Sequence, residues 1–499
     1  MKKNIFIMSL WIGLCNLFSL NSEAAIPVFE IKAVTKAPQQ LLANRILTMQ
    51  YTVKNNSKKM RTLTLKPMPG IEEVSGATLC HSPFNLAPGQ SCFLNLKLNT
   101  AQMGAGIHAG PVICQAKGTT NIPNPLQCYG PSLADQLNIK IIPCANNNCL
   151  NKTTERLLRN VTHSYQQQYN IPGVLAGIWV PGQGQLIIED GVADISTNRP
   201  ISALDHVRIA SLTKSFTTTV ILQLIEQGLI NLSTPISSLG FTIQNNGATI
   251  AQLANMRSGI FNYSADPNFL QNLIDDFLRK WSPQELVTIA NGNNTYFAPG
   301  ADWHYSNTNT IILGMIVEQL TGNFIGKEIY HRIISPLGLN ETSYPTTPEM
   351  PVPFAKGYAG TDLEDVTRVD PSFSGAAGGM ISTLGDLKIW VESLATGSLL
   401  STAMQQERVN SLLPISFDPC ADNDPSRPHP TCPEYDNYGY GMGSINGWRG
   451  HTGDYFGYLL LMMHEPNSKA TIVIVVNLSG VGAHIPTNLF REYLNIINL

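Results

Sequence analysis

Charged side chains are scarce in this chain of 499 residues: Asp, Glu, Lys and Arg make up 13% of it, and the net charge is −3. It has no basic block or stripe, so nothing in it favours a nucleic acid or an anionic membrane as partner. It also lacks the paired C-x-x-C spacings usual in zinc sites, and we predict neither a metal nor a cofactor. The chain is too long for one ordinary core, which predicts at least two domains.

The N-terminus has the plan of a secretory signal. Lys2 and Lys3 precede an apolar run over residues 5–20, which ends in Asn-Ser-Glu-Ala-Ala at 21–25. We predict a signal peptide over residues 1–24, with cleavage after Ala24 or Ala25. An uncleaved anchor is the alternative, but the run is short for a membrane span, and we expect no stable span after cleavage. The pattern predicts a periplasmic or secreted protein.

Cysteine usage agrees with an oxidising compartment. Removal of Cys15 with the signal leaves eight cysteines, and an even number there is typical of disulfides. We predict that Cys420 and Cys432 pair locally, whereas the other six leave fifteen pairings open. Those six are Cys80, Cys92, Cys114, Cys128, Cys144 and Cys149.

The region 25–145 differs from the rest of the chain. Its short runs of β-branched and aliphatic residues, such as 46–53, 61–66 and 92–98, alternate in polarity and are separated by Asn, Pro and Gly turns. This pattern, over about 120 residues, predicts a disulfide-bonded β-sandwich of immunoglobulin-like size.

From Lys152 the periodicity becomes helical, and Leu157, Val161 and Tyr165 are predicted to share the buried face of a first helix. Helical segments then dominate to about residue 400. Two buried strands follow at 458–463 and 470–476, and a last helix is predicted at 486–497.

Ser211-Leu-Thr-Lys214 is the most informative segment. It follows a short apolar strand end at 207–210 and opens a helical pattern, and three residues are close to one helical turn, so Lys214 returns to Ser211. At a helix N-terminus, unpaired N–H groups favour developing negative charge on the serine. A buried amine beside a hydroxyl predicts a nucleophile with its base. A capping serine and a solvated lysine are the structural alternatives.

Two further motifs follow in order, Tyr305-Ser-Asn307 and Gly450-His-Thr-Gly453. With them, the chain resembles the serine β-lactamase and penicillin-binding superfamily, in the branch of class C β-lactamases, D-alanyl-D-alanine carboxypeptidases, D-aminopeptidases and related esterases. Supporting matches lie at 249–260, 378–386 and 438–442. The resemblance implies a β-lactamase-like α/β plus all-α fold over residues 150–499, with an antiparallel sheet flanked by helices and a helical subdomain.

The resemblance also implies roles for individual residues. Ser211 is the nucleophile, Lys214 the base, and Tyr305 a proton shuttle whose phenolate nearby cations would favour. The N–H groups of Ser211 and Asp454 form the oxyanion site. Substrate is bound by Asn307, His451, Thr452, Gly453 and Asp454. A packed aromatic residue at Tyr305 and a structural strand histidine at His451 are the alternatives.

The leading hypothesis is a serine hydrolase that forms a Ser211 acyl-enzyme with a peptide, amide or ester, peptidoglycan fragments included. Because His451 stands where many relatives carry a permanently charged lysine, we rank D-amino-acid peptides and esters above β-lactams as substrates. The alternative is a catalytically silent cell-wall or peptide-binding protein that keeps the fold.

Overall fold

The computed structural model describes residues 27–42, 45–76, 79–104, 106–142, 149–415, 435–481 and 484–498. The predicted signal peptide and the predicted Cys420–Cys432 pair lie outside the described residues. Within the described part of the chain, no helix is both long and apolar enough to cross a membrane.

The N-terminal region is an all-β module, as predicted. It contains two four-stranded sheets and one three-stranded sheet, largely antiparallel, around a core of aliphatic side chains. The alternating burial along its longest strand is that of a strand with one face in the core. Its strands are Phe29–Ala33, Gln40–Leu42, Ile46–Asn55, Arg61–Leu65, Ile71–Glu73, Phe84–Leu86, Ser91–Asn99, Gly106–Ile107, Ile113–Ala116, Pro123–Tyr129 and Ile139–Ile142.

Disulfides hold this module together. Cys80 pairs with Cys92 and Cys114 with Cys128, and Cys149 is also disulfide-bonded. The prediction of disulfides is therefore confirmed, and two of the pairings that the sequence left open are assigned.

A nine-stranded antiparallel sheet forms the centre of the second region. The strand Ala470–Val476 is buried along its whole length, because helices cover both faces of the sheet. In spatial order the strands are Arg199–Pro200, Gly184–Asp194, Gly173–Val180, Ala470–Val476, Tyr458–Glu465, Trp448–Tyr455, Gly443–Ile445, Asn437–Tyr438 and Leu413–Pro414. Short strands add two small sheets, Val207–Arg208 with Ile381–Ser382, and Glu364–Asp365 with Tyr358–Ala359 and Leu478–Ser479.

The first and last helices pack on one face of the sheet, and the remaining helices form the other layer and a helical subdomain. The predicted β-lactamase-like fold with an extra β module is confirmed. The helices are Lys152–Gln168, Thr213–Glu226, Ile250–Ala254, Pro267–Asp275, Pro283–Asn291, Asn307–Thr321, Ile325–Ile329, Ser335–Leu337, Gly375–Gly378, Leu384–Thr396, Thr402–Asn410 and Ile485–Ile497.

The predicted buried face of the first helix needs a correction. Val161 and Tyr165 are half-buried and pack against the core, as predicted, but Leu157 is 44% exposed. The fully buried residues of this helix are Leu158 and Thr162. Thr162 faces the core because its hydroxyl lies 2.5 Å from that of Tyr493 on the last helix. The hydrogen-bond partner of this buried threonine lies 331 residues away in the sequence. The local pattern of apolar residues therefore could not predict that Thr162 is buried.

Candidate active site

Ser211 lies on a tight turn between a strand and a helix. The strand Val207–Arg208 leads into a 3₁₀ turn over Ala210–Leu212, and the α-helix Thr213–Glu226 follows without a break. The helix therefore begins two residues after the serine, and the 3₁₀ turn supplies the expected N-terminal position. Ala210 has a φ of +52°, a left-handed conformation that costs a non-glycine residue roughly 1 kcal/mol. This strained turn presents Ser211 at the start of the helix.

Lys214 is buried beside the serine. Its side chain is 1% exposed, and its Nζ lies 3.0 Å from Ser211 Oγ. Burial holds the pKa of the Lys214 amine well below its usual value, because a charged ammonium is poorly solvated there. A neutral amine has a lone pair with which to take the serine proton.

A short helical segment 163 residues further along the chain fixes the amine. Lys214 Nζ donates to the carbonyl oxygen of Ala377 at 2.7 Å. The next carbonyl back, on Ala376, accepts from the hydroxyl of Thr217 at 2.7 Å, one helical turn further along. The segment Gly375–Gly378 thus runs along the helix and orients the lysine toward Ser211.

Tyr305 completes the cluster from the loop before the helix Asn307–Thr321. Its hydroxyl faces the side chain of Ser211, and Lys214 Nζ lies 4.9 Å from the centre of its ring. Burial raises the pKa of the Tyr305 phenol well above its usual value, and the nearby Ser211 only partly opposes this. The phenol therefore stays protonated, which differs from the phenolate that the sequence suggested and leaves Lys214 as the better base.

The strand Trp448–Tyr455, here called the HTG strand, runs past the nucleophile turn. A Cβ built on Gly453 would lie 3.0 Å from the carbonyl oxygen of Ile209 and 3.0 Å from a methyl of Leu212. Only glycine allows so close an approach without displacement.

The N–H of Asp454 points toward this turn. The HTG strand pairs in unbroken register with Tyr458–Glu465 on one side. On its other side, the N–H of Thr452 donates to the hydroxyl of Tyr435 at 2.6 Å. Since N–H groups two residues apart point to the same side of a strand, the N–H of Asp454 also points away from the ladder. Together with the helix-start N–H of Ser211, it is suited to bind an oxyanion.

His451 is enclosed, with no exposed surface. Its Nδ1 lies 2.6 Å from the carbonyl oxygen of Thr452, an acceptor, so we assign the proton to Nδ1. The hydroxyl of Tyr438 then donates to Nε2 at 2.9 Å, and the hydroxyl of Tyr435 lies 2.9 Å from Nδ1. Burial lowers the pKa of His451 to about 3, and the nearby Lys214 adds to this. The histidine is therefore neutral at every physiological pH.

Asn307 sits at the start of its helix and faces a neighbouring loop. Its Nδ2 donates to the hydroxyl of Ser264 at 2.8 Å, and its backbone N–H donates to Oδ1 of Asn262 at 3.0 Å. The side chain of Asn307 is thus held by Ser264. Asn307 is half-buried and so remains in reach of a ligand.

Asp454 is exposed, while Gly453 and Tyr455 on either side of it are buried. The surrounding protein nevertheless raises the pKa of the Asp454 carboxyl to about 8. With Lys214 and His451 neutral as well, the residues around Ser211 carry little charge near pH 7.

The structure thus brings together Ser211, Lys214, Tyr305 and the HTG strand. Sequence reasoning missed Ala377, Tyr435 and Tyr438, which hold the lysine and the histidine. Two of these lie in or beside segments that the sequence singled out only as family matches, at 378–386 and 438–442.

A separate cavity of about 200 Å³ lies in the helical subdomain, and none of Ser211, Lys214 or Tyr305 lines it. Its wall includes Trp281, Met315, Tyr344 and Ala376. It touches the Gly375–Gly378 segment but belongs to the subdomain interior rather than to the nucleophile's cleft.

Comparison with proteins of known sequence gives relatives over about half of this chain. Protein flp of Staphylococcus aureus (strain N315) is 26% identical over 255 residues, which cover 48% of this chain and 49% of that protein. Penicillin-binding protein 4* of Bacillus subtilis (strain 168) is 29% identical over 194 residues, 36% of this chain and 40% of that protein. The chain therefore spans about half the length, or less, of these curated relatives.

Solved structures match more of the chain. A D-stereospecific amidohydrolase from Streptomyces sp. superposes with a TM-score of 0.55 and 28% identity, covering 68% of this chain and 96% of that one. The D-amino acid amidase from Ochrobactrum anthropi SV3, in complex with D-phenylalanine, gives a TM-score of 0.61 and 22% identity over 70% and 99% of the two chains. The Beta-lactamase family model matches residues 158–491, two thirds of the sequence, with all the site residues inside it, and the chain belongs to that family.

Proposed function

We propose that this protein is a serine hydrolase that acts through a Ser211 acyl-enzyme. One observation carries the proposal: a buried amine with a lowered pKa lies 3.0 Å from a serine hydroxyl at the start of a helix. Such a pair has little use in a binding protein, because burying an amine costs free energy that only its chemistry repays.

In the first step Ser211 Oγ attacks the substrate carbonyl carbon, and its proton passes to Lys214 Nζ. The carbonyl oxygen becomes an oxyanion that accepts hydrogen bonds from the N–H groups of Ser211 and Asp454. The tetrahedral intermediate collapses when the bond to the leaving nitrogen or oxygen breaks. Tyr305, whose hydroxyl faces Ser211, donates its proton to the leaving group and regains one from Lys214.

The second step releases the acyl group. A water molecule attacks the ester carbon, and its proton passes to the neutral Lys214, directly or through Tyr305. The ester bond to Oγ breaks, and Ser211 recovers its proton. Both steps need Lys214 neutral at the start, which is the form that its burial favours.

For substrates, we propose peptides, amides or esters, with D-amino-acid derivatives ranked above β-lactams. The amidohydrolase and amidase among the structural neighbours act on D-configured substrates by their names, which supports this ranking. The neutral His451 supports it further, because no fixed cation there holds a substrate carboxylate. A periplasmic or secreted location is proposed from the N-terminal sequence, and the disulfides support it.

Labelling with a fluorophosphonate probe tests the proposal. The wild-type protein should be labelled on the peptide that contains Ser211, and Ser211→Ala should abolish labelling while the circular dichroism spectrum is unchanged. Ser264→Ala is the matched control, since Ser264 lies near the site but not on the nucleophile turn. Absence of labelling in the folded wild type would favour a catalytically silent binding protein instead.

A further inference from the structure

The side chain of Asp454 stands directly beside the oxyanion site. Covalent geometry and one hydrogen bond place its carboxyl within about 6 Å of any oxygen that accepts the Asp454 N–H. The side chain shares a face of the HTG strand with Thr452, because side chains alternate along a strand. It is exposed and therefore accessible to solvent and to a ligand.

A carboxyl in this position opposes the reaction when it is ionised and has no cation beside it. Catalysis builds negative charge on the carbonyl oxygen, and a second negative charge within about 6 Å destabilises it. None of the ion pairs among the described residues includes Asp454. The two basic groups nearest the nucleophile, Lys214 and His451, are buried and neutral. Before the reaction neither group offers a countercharge, and the one that Lys214 gains with the serine proton is shared between the oxyanion and Asp454.

A substrate that carries its own positive charge removes this conflict. An ammonium group separated by one to three atoms from the reacting carbonyl, on its acyl side or in its leaving group, reaches a carboxylate about 6 Å from the carbonyl oxygen. There it offsets the charge of the carboxylate and of the developing oxyanion together.

We propose that Asp454 makes this enzyme selective for substrates with an ammonium group next to the reacting carbonyl, and selective against substrates with a carboxylate there. The proposal rests on the serine acyl-transfer function proposed above and names the substrate class for that site. The free α-amine of a D-amino-acid amide, ester or short peptide has the required chemistry.

The raised pKa of Asp454 agrees with this role. With a pKa of about 8 the carboxyl is mostly protonated in the empty site at pH 7, and an arriving cation favours its ionised form. The titratable groups on the elements beside it include Lys214, His451, Tyr435, Tyr455 and Tyr458, and burial favours the neutral form of each. The cation Arg208 lies over the ring of Tyr455.

Paired substrates test the assignment. The first pair is D-alanine p-nitroanilide and its N-acetyl derivative, which places the charge on the acyl side. The second pair is acetylcholine and its uncharged isostere 3,3-dimethylbutyl acetate, which places a permanent charge on the leaving group. For each pair we measure the ratio of kcat/KM, charged over uncharged, at pH 7.5 in the wild type, Asp454→Asn and Asp454→Glu.

We expect the wild type to prefer the charged member of at least one pair by about tenfold or more, and the pair that responds tells on which side the cation sits. Asp454→Asn should reduce that ratio at least about tenfold, and Asp454→Glu should keep most of it. A ratio near one in the wild type, or a preference that Asp454→Asn retains, would overturn the assignment.

The rate at which a fluorophosphonate modifies Ser211 gives the same charged-over-uncharged ratio without turnover. A choline-bearing fluorophosphonate and its uncharged isostere are compared on wild type and Asp454→Asn, and equal rates in the wild type count against Asp454. A wild-type protein that neither probe labels rejects the proposed serine chemistry, whereas labelling at equal rates rejects only the charge selectivity.

Discussion

Gly453 lies against Ala210: a Cβ built on Gly453 would stand 2.9 Å from the Cβ of Ala210, the residue that precedes the nucleophile. The contact joins the HTG strand to a turn whose backbone is already in a left-handed conformation. The separation between the Ser211 and Asp454 N–H groups therefore depends on the absence of one methyl group.

Gly453→Ala should push the strand from the turn and widen the oxyanion site. We expect kcat/KM for an acetyl ester to fall at least about tenfold, and the free energy of unfolding to fall by about 1–3 kcal/mol from overpacking. Gly385→Ala is the matched control, because Gly385 has open space around its Cβ position and an ordinary φ. Equal kinetics for the two variants would show that the contact does not set the geometry of the site.

The proximity of Ser211 and Lys214 could be predicted from sequence because three residues along a helix return to the same face. The charge state of Lys214 could not be predicted, since it depends on burial under the Gly375–Gly378 segment. Ala377 in that segment accepts the hydrogen bond of Lys214 and lies 163 residues from it in the sequence. The same holds for His451. The motif that contains His451 could be recognised in the sequence. The hydroxyls that contact its two ring nitrogens belong to Tyr435 and Tyr438, and their position depends on how the strands pair.

Lys214→Met tests the base and the cost of burying it. We expect a loss of at least about a hundredfold in acylation rate, the usual scale when a general base is removed. We also expect a higher Tm at pH 7, because methionine needs no desolvation of an amine. Thermal unfolding and fluorophosphonate labelling of the same samples measure both effects.

The difference in Tm between Lys214→Met and the wild type should also change with pH, in a direction that the pKa of Lys214 determines. Because the folded-state pKa of Lys214 lies below that of the unfolded chain, the unfolded state binds more protons between the two values. The contribution of Lys214 to stability therefore rises with pH, and the gain from Lys214→Met should shrink between pH 7 and pH 10. A gain that is constant across this range would contradict a neutral buried lysine.

Tyr438→Phe tests the tyrosines around His451. Loss of the hydroxyl leaves Nε2 without its donor in a buried site, which should cost about 1–3 kcal/mol of unfolding free energy. The ring of Tyr305 packs edge-on against Tyr438, so the lost bond should also lower kcat/KM by several-fold. Tyr330→Phe is the control, because Tyr330 is 52% exposed and should tolerate the change within about 0.5 kcal/mol. If both variants unfold at the same Tm, the bond to His451 does not contribute.

The neutral state of His451 gives a separate prediction for NMR. With its pKa lowered to about 3, the His451 ring should show no protonation shift between pH 5 and pH 8. Its resonance is assigned by comparison with His451→Gln. The exposed His163, which faces Asp190, serves as an internal reference for the assignment. A His451 signal that moves through a midpoint near pH 6.5 would restore the cationic role that the sequence suggested.

The pH profile of an uncharged ester should report the ionisation of Asp454. Below pH 8 its carboxyl is mostly protonated and does not oppose the oxyanion, whereas above pH 8 the ionised form lies about 6 Å from the developing charge. We therefore expect kcat/KM of the wild type for 3,3-dimethylbutyl acetate to decline as the pH rises from 8 to 10, and Asp454→Asn to lack that decline.

For acetylcholine, whose charge is permanent, the same ionisation should hold or raise kcat/KM, because the carboxylate then attracts the substrate. Opposite slopes for the two esters in the wild type, both absent from Asp454→Asn, would link the effect to this side chain. Parallel slopes in both proteins would assign the pH dependence to another group.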